Sequence, residues 1–343
     1  MTAIPYRVQR NGRHSLAGMA VAAVVVAALL AFPIWADSAV MRLVVEICYY
    51  LALAQMWNLL AGFAGLVSVG QQAFVGLGGY GFFALSVLLP LPPLAALPLA
   101  GLLAAAIALP TAGIVFRLRG AYFAIGTWVM AEVFRLLLAL ATPLGGGTGM
   151  SLPAAAIRSI AASRAARETL IYYIGLAIGL GSIALVFVWL RSRQGLALTA
   201  IRDSETAAGS VGVDHARTKL AVYVVTAGMT GFIGALIFLE KIRISPDAAF
   251  SVVDWSADVI FIVVIGGIGR IEGPIVGTLV FFALRQLLAD FGAWYMILLG
   301  SIAVGVMLCA PQGLWGLFAD LTGIQFFPVQ RRVRLLNQEW PDA

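Results

Sequence analysis

Residues 191–219 read RSRQGLALTAIRDSETAAGSVGVDHARTK. Long apolar runs flank the stretch on both sides, yet seven charged residues precede Lys219 within it. Gly195 and Gly212 bracket a segment with helical spacing. Leu198, Ile201, Ala208 and Val211 fall on one stripe, and Arg202, Asp203 and Glu205 fall elsewhere. The spacing predicts a short amphipathic helix, Ala197 to Val211, between two membrane spans on their basic side. Two readings stay open here: a helix lying on the membrane surface, or a coupling helix that docks in a groove of a cytoplasmic partner.

The flanking runs set the class. The chain has 343 residues, 62% hydrophobic and 11% charged, with mean hydropathy +0.98. Soluble proteins carry roughly 25% charged residues. So much apolar surface cannot be hidden in water, and the expectation is an all-α polytopic membrane protein. The net charge of +6 sits in loops and tails, where it sets orientation and does not indicate nucleic acid. Cys48 and Cys309 lie inside apolar runs and read as small hydrophobes. With His14 in a tail and His215 in a loop, no His/Cys cluster offers a metal site.

About ten spans are expected, near 16–35, 43–61, 72–90, 94–115, 121–141, 170–190, 219–239, 257–268, 274–290 and 293–310. Residues 1–15 then form an N-terminal tail, 16–310 the transmembrane domain with a cytoplasmic loop at 191–218, and 311–343 a C-terminal tail. The first run reads as a retained span, since it is long for a signal peptide and no clean cleavage site follows it. The run 257–268 is short for a crossing, which needs about 20 residues, and reads as tilted, broken or re-entrant. With both termini inside, the inner segments hold 14 Lys and Arg, among them Arg10 and Arg331, and the outer segments hold 6. This satisfies the positive-inside rule. Arg158, Arg164 and Arg167 go against the trend, in an outer loop.

Glycine is concentrated at Gly62–Gly81, at Gly145–Gly149 and from Gly266 through Gly277. Such glycines let membrane helices approach closely, or they break helices near mid-membrane so that freed backbone faces a substrate path. Gln71 and Gln72 favour the second reading for the first stretch. The expected path residues are Gln71, Gln72, Gly76, Tyr80, Gly266 and Gly267. Glu132 and Arg135 share a helix face and read as a structural ion pair. Glu46, Arg285 and Asp290, towards span ends, take the same reading. No catalytic constellation is present, and GGIGRIEG lacks the lysine of a phosphate-binding loop.

Three blocks carry a resemblance. The first runs from Asn58-Leu59-Leu60-Ala61-Gly62-Phe63-Ala64-Gly65 through Ser68-Val69-Gly70-Gln71 to Ala73-Phe74-Val75-Gly76. The second is Gly120-Ala121-Tyr122-Phe123-Ala124 with Glu132-Val133-Phe134-Arg135 and Gly145–Gly149. The third is Gly195 to Leu220, followed by Pro246, Phe250, Ser256, Val264, Gly266, Gly267, Gly269, Gly273, Pro274 and Gly277. In this order they resemble the permease subunits of branched-chain amino acid ABC transporters, the LivM type. Gln71 and Gln72 depart from that pattern, which often has His and Ala there.

The resemblance implies an importer-type permease of a bacterial plasma (inner) membrane with both termini cytoplasmic. It gives residues 205–212 the character of the loop by which importer permeases dock on an ATPase, with Leu198, Ile201, Glu205, Ala207, Ala208, Gly209 and Gly212 as the coupling set. It implies a second permease of the LivH type, two ATPase subunits that use ATP, a periplasmic or lipid-anchored binding protein, and leucine, isoleucine or valine as cargo. The chain itself would bind no cofactor and hydrolyse nothing. The alternatives are an ABC permease for urea, short amides or other small organic solutes, and an ion-coupled secondary transporter. Against the last, Glu132 is the only acid deep in a span.

Overall fold

The structure is a computed structural model. It describes residues 6–9, 13–161, 163–288, 291–292, 294–322, 326–327 and 332–335. Arg10 and Arg331 of the charge reading, and Asp290 of the expected ion pairs, lie outside the described residues. Away from water a helix satisfies its own backbone donors, and the apolar runs are helical throughout. In chain order these are α1 (Arg13–Ala31), α2 (Ser38–Asn58), α3 (Gln71–Phe83), α4 (Pro93–Val115), α5 (Ala121–Ala139), α6 (Ala154–Ile160), α7 (Arg164–Arg191) and α8 (Arg193–Asp203). There follow α9 (Glu205–Ser210), α10 (His215–Lys241), α11 (Pro246–Ala249), α12 (Asp258–Gly266), α13 (Glu272–Leu288), α14 (Trp294–Cys309) and α15 (Gly313–Thr322). Wider π turns extend α2 over Leu59–Phe63 and α3 over Ala84–Leu88, and lead into α12 over Val253–Ala257.

Among the described residues, seven stretches are long and apolar enough to cross a bilayer: Ser38–Phe63, Pro93–Val115, Ala121–Ala139, Arg164–Arg191, His215–Lys241, Pro246–Gly266 and Ile297–Thr322. The other three expected spans fall on α1, whose apolar part is Ala20–Ile34, and on α3 and α13, which are shorter. The segment expected to be too short at 257–268 gains its length upstream, from Pro246. Asp247 and Asp254 lower the hydropathy of that extension, which hides it in the sequence. Helix α15 lies inside the region expected to be tail, with Gly313, Trp315, Gly316 and Ala319 buried.

Helix α10 is the centre of the fold. Of its apolar window 72% is buried, against 17% for α5 and for Ile297–Thr322, so these last two form the periphery. It packs along α4 and α3, while α2 packs along α7. Small residues make the crossings close: a methyl at Gly231 would strike Ala104 of α4, and Gly179 of α7 lies against Cys48 of α2.

Two short ribbons mark the ends of the molecule. Strand β1 (Tyr6–Gln9) pairs antiparallel with β4 (Arg332–Leu335), Tyr6 opposite Leu335. Strand β2 (Met150–Ser151) pairs with β3 (Arg243–Ile244) and ties the 140–163 connection to the one after α10. Arg158 lies on α6, whereas Arg164 and Arg167 open α7. Near the same end Arg42 and Arg164 both hold Glu168, at 3.2 and 3.0 Å, and Arg285 pairs with Glu46 at 2.7 Å. Arg135 binds Glu132 through Nε and Nη2, and its Nη1 reaches Asp247 at 2.7 Å, a third member the sequence reading did not include.

Candidate functional site: a broken helix and its cytoplasmic loop

The chain breaks between α2 and α3. After the π turn, residues 64–70 fold back without helix, and Gly65 takes the left-handed φ of +70° that the reversal requires. Gly70 lies against the Thr127 backbone of α5, where any side chain would clash. The Trp57 indole donates to the Ser68 carbonyl at 2.8 Å, and the Val69 amide donates to Thr127 Oγ1 at 3.2 Å. Gln71 Nε2 then donates to the Leu53 carbonyl at 2.9 Å. Leu53 lies ten residues before Phe63, about 15 Å along the helix axis. Helix α3 therefore begins deep within the bundle, as a broken-helix reading of the glycines requires.

Gln72, Gly76 and Tyr80 recur at intervals of four and share one face of α3. That face meets the segment from α11 to α12. The Ser256 hydroxyl donates to Gln72 Oε1, the Phe250 ring lies directly over Gly76, and Tyr80 stacks on the same ring at 6.2 Å. Gln72 is only 1% exposed. Gln55 Oε1, Gln71 Oε1, Gln72 Nε2 and the Tyr80 hydroxyl are buried without a hydrogen-bond partner in the chain. Native interiors rarely tolerate such groups. Those of Gln71, Gln72 and Tyr80 form a polar seam along α3 in an otherwise apolar core.

Gly266 and Gly267 do not join this seam. They sit at the other end of α12, where α12, α13 and α15 cross backbone to backbone. Gly266 abuts the Gly273 carbonyl, and Gly267, at φ +129°, abuts Gly313. Asn58 straps the same turn: its Oδ1 accepts from the Gly269 amide and its Nδ2 donates to the Arg270 carbonyl, each at 2.8 Å. Gln55 Nε2 donates to the Ile271 carbonyl at 2.8 Å. The sequence reading named Asn58 only as part of its first block and passed over Gln55, although two polar residues three apart in an apolar span were a visible signal.

The loop at 191–218 is not one helix but two, α8 and α9, separated at Ser204. Ser192 and Ser204 cap them by accepting from the Gly195 and Ala207 amides, and Asp214 caps α10 through the Arg217 amide. Gly195 therefore lies in the first turn of α8, against the Leu190 backbone, and does not precede the helix. Leu198, Ile201 and Ala208 are buried, so the apolar stripe anchors the loop to its own chain. Glu205 is also engaged internally, 2.8 Å from Lys219 and 3.7 Å from His215. The Lys219 hydrogen bond, reinforced by its charge and those of His215 and Arg119, holds the Glu205 carboxyl below the usual carboxylate range. Ala207, Gly209 and Gly212 are exposed. Val211 is 78% exposed beside them, not part of the buried stripe. Of the expected coupling set, Leu198, Ile201, Glu205 and Ala208 thus hold the loop in place, while Ala207, Gly209 and Gly212 form an open edge of small residues.

Comparison with known proteins agrees with this architecture. A family described as the branched-chain amino acid transport system / permease component matches residues 39–310. The high-affinity branched-chain amino acid transport system permease protein LivM of Escherichia coli (strain K12) is 32% identical over 287 residues, covering 77% of this chain and 67% of the relative. LivM of Salmonella typhimurium (strain LT2) shows the same identity and coverage. No solved structure matches the chain. With seven helices long and apolar enough to cross a bilayer, the chain is a multi-pass protein of the inner membrane, and it belongs to the family of branched-chain amino acid transport permease components.

Proposed function

We propose that this chain forms half of the translocation path of an ABC importer for leucine, isoleucine and valine. As a permease component it is a transport subunit and not an enzyme. The observation that carries the reading is the capped, internally anchored α8–α9 loop, which turns an open edge at Ala207, Gly209, Val211 and Gly212 away from the bundle. A loop that only covered the membrane surface would turn its apolar stripe to lipid, whereas here that stripe packs on the chain itself. The edge docks on one of two ATPase subunits, which bind and hydrolyse ATP. A second, LivH-type permease completes the path against the little-buried face of α5, and a binding protein delivers the amino acid. The polar seam at Gln71, Gln72 and Tyr80 is the part of the path within this subunit, and Gly76 leaves room for Phe250 beside it.

Both termini lie in the cytoplasm, with 1–15 and 311–343 as tails of the 16–310 domain and 191–218 as the coupling loop. The β1–β4 pairing supports this, because it brings the two ends to one side and so favours an even number of crossings. The test is uptake of labelled leucine by proteoliposomes holding this chain, its partner permease, both ATPases and the binding protein. Leucine should accumulate only with ATP, and isoleucine and valine should compete. Uptake of urea or acetamide in place of leucine would overturn the reading.

A further inference from the structure

Arg202 stands at the end of α8, next to the buried Ile201 and one residue before Asp203, which closes the helix. Its guanidinium is partly exposed: Nε and Nη2 donate to Asp203 Oδ1, each at 3.3 Å, and this pairing aims the remaining amino group at α2. Nη1 donates at 3.3 Å to the carbonyl of Gly62, in the π turn that ends α2, and the group lies beside Gly269. Cationic side chains suit a helix C-terminus, where carbonyls lack helical donors. This cap joins three pieces of the molecule. Gly62 opens into the 64–70 reversal that sets Gln71 and Gln72. Gly269 is held by Asn58, four residues before Gly62 on the same helix. Arg270 next to it reaches Gln312 at 3.1 Å and Asp320 at 3.3 Å, on the α14–α15 connection and on α15. Among the described residues, Arg202 is the one side chain of α8–α9 that hydrogen-bonds to this region.

We propose that Arg202 is the positioning residue through which the cytoplasmic loop moves the helix break: displacement of α8 is passed to the Gly62 carbonyl and, through residues 64–70, to the buried glutamines. The proposal rests on the importer reading. A cap that merely filled space would be replaced by any side chain of similar length. A mechanical link instead needs the donor, since only a hydrogen bond resists both push and pull on the carbonyl.

The test uses the assembled transporter with Cys309→Ser, leaving the buried Cys48, and a reporter Val67→Cys in the 64–70 segment, where Val67 is half exposed. Its reaction with a charged maleimide is timed with and without ATP plus vanadate. With Arg202 present the rate should change by about fivefold or more, the low end of coupling between distinct sites. Arg202→Met should abolish the change while the ATPase subunits still copurify, and Arg202→Lys should restore most of it. The proposal fails if Arg202→Met responds like its parent, if Arg202→Lys behaves like Arg202→Met, if the parent shows no change, or if Arg202→Met releases the ATPases. No solute enters this readout. A transporter that carried something other than branched-chain amino acids would overturn the functional reading and leave this result standing.

Discussion

Lys219 Nζ lies 2.8 Å from Glu205 Oε2, closing a clip between the first residue of α9 and the first turns of α10. Because Glu205 is held below the ordinary carboxylate range, the sign of its pH dependence follows. The clip contributes fully above the unfolded carboxyl value, about 4.3, and is lost as pH falls through the lowered folded value. Hydrogen-exchange protection of residues 205–210, corrected for intrinsic rate, should not fall from neutral pH down to the ordinary carboxylate range, since any charge on His215 adds to the clip, and should collapse below it. Glu205→Gln should loosen α9 by no more than about 1 kcal/mol, as exposed pairs do. Glu205→Lys should loosen it further, by setting like charges side by side.

Ala208 and Gly209 separate anchoring from docking. Ala208 is 2% exposed and packs inward, so Ala208→Trp overpacks the loop at a cost of about 1–3 kcal/mol. Nothing lies near a side chain added at Gly209. Gly209→Trp should leave the subunit's thermal stability unchanged yet release the ATPases, whereas Ala208→Trp should lower both. Retained ATPase pull-down in Gly209→Trp would remove the open edge from the docking surface.

The Gln72–Ser256 hydrogen bond can be weighed by removing either side. Ser256→Ala leaves Gln72 with neither amide atom bonded in a buried site, and such losses cost about 1–3 kcal/mol. Gln72→Met leaves one small group, the Ser256 hydroxyl, unpaired in place of two amide atoms, and should destabilise less. Detergent thermostability should therefore rank the parent first, Gln72→Met second and Ser256→Ala last. The reverse order of the two variants would show that the amide is satisfied in some other way.

Gly76 and Phe250 should be coupled. A methyl at Gly76 falls within the contact distance of the Phe250 ring, so Gly76→Ala should destabilise by about 1–3 kcal/mol. Phe250→Leu should relieve part of that loss in the double variant, giving a coupling energy of about 0.5 kcal/mol or more. Additive losses would mean that ring and glycine do not constrain each other.

Orientation has its own check. Val211→Cys, in the loop, and Arg164→Cys, at the start of α7, lie at opposite ends of that helix and its continuation. In a Cys309→Ser background an impermeant reagent added to whole cells should label only Arg164→Cys. Labelling of Val211→Cys from outside would invert the topology.

Much of this was legible in the sequence because membrane burial leaves a strong compositional trace. The apolar runs located the long helices, and the glycine–glutamine stretch located the break. What escaped notice were features whose signal depends on three dimensions. The stripe Leu198, Ile201 and Ala208 was visible, but periodicity does not say whether a stripe faces a partner or its own chain. Two consecutive caps, Ser192 and Ser204, split the loop, and a reading that bracketed it by glycines overlooked both. Helix α12 looked short because two aspartates, Asp247 and Asp254, interrupt its approach. That Gly266 and Gly267 sit apart from the glutamines was not legible, because tight backbone crossings and helix breaks use the same amino acid for different reasons.

The pairing of Tyr6–Gln9 with Arg332–Leu335 brings the segment before the first helix and the segment after the last one side by side. Chains whose ends meet tolerate being joined there and reopened elsewhere. The connection at 89–92, with Leu89 exposed, is a natural place for the new opening. A chain joined there and reopened at 89–92 should keep the same helix contacts, with both new ends on the opposite side of the bundle from the old pairing.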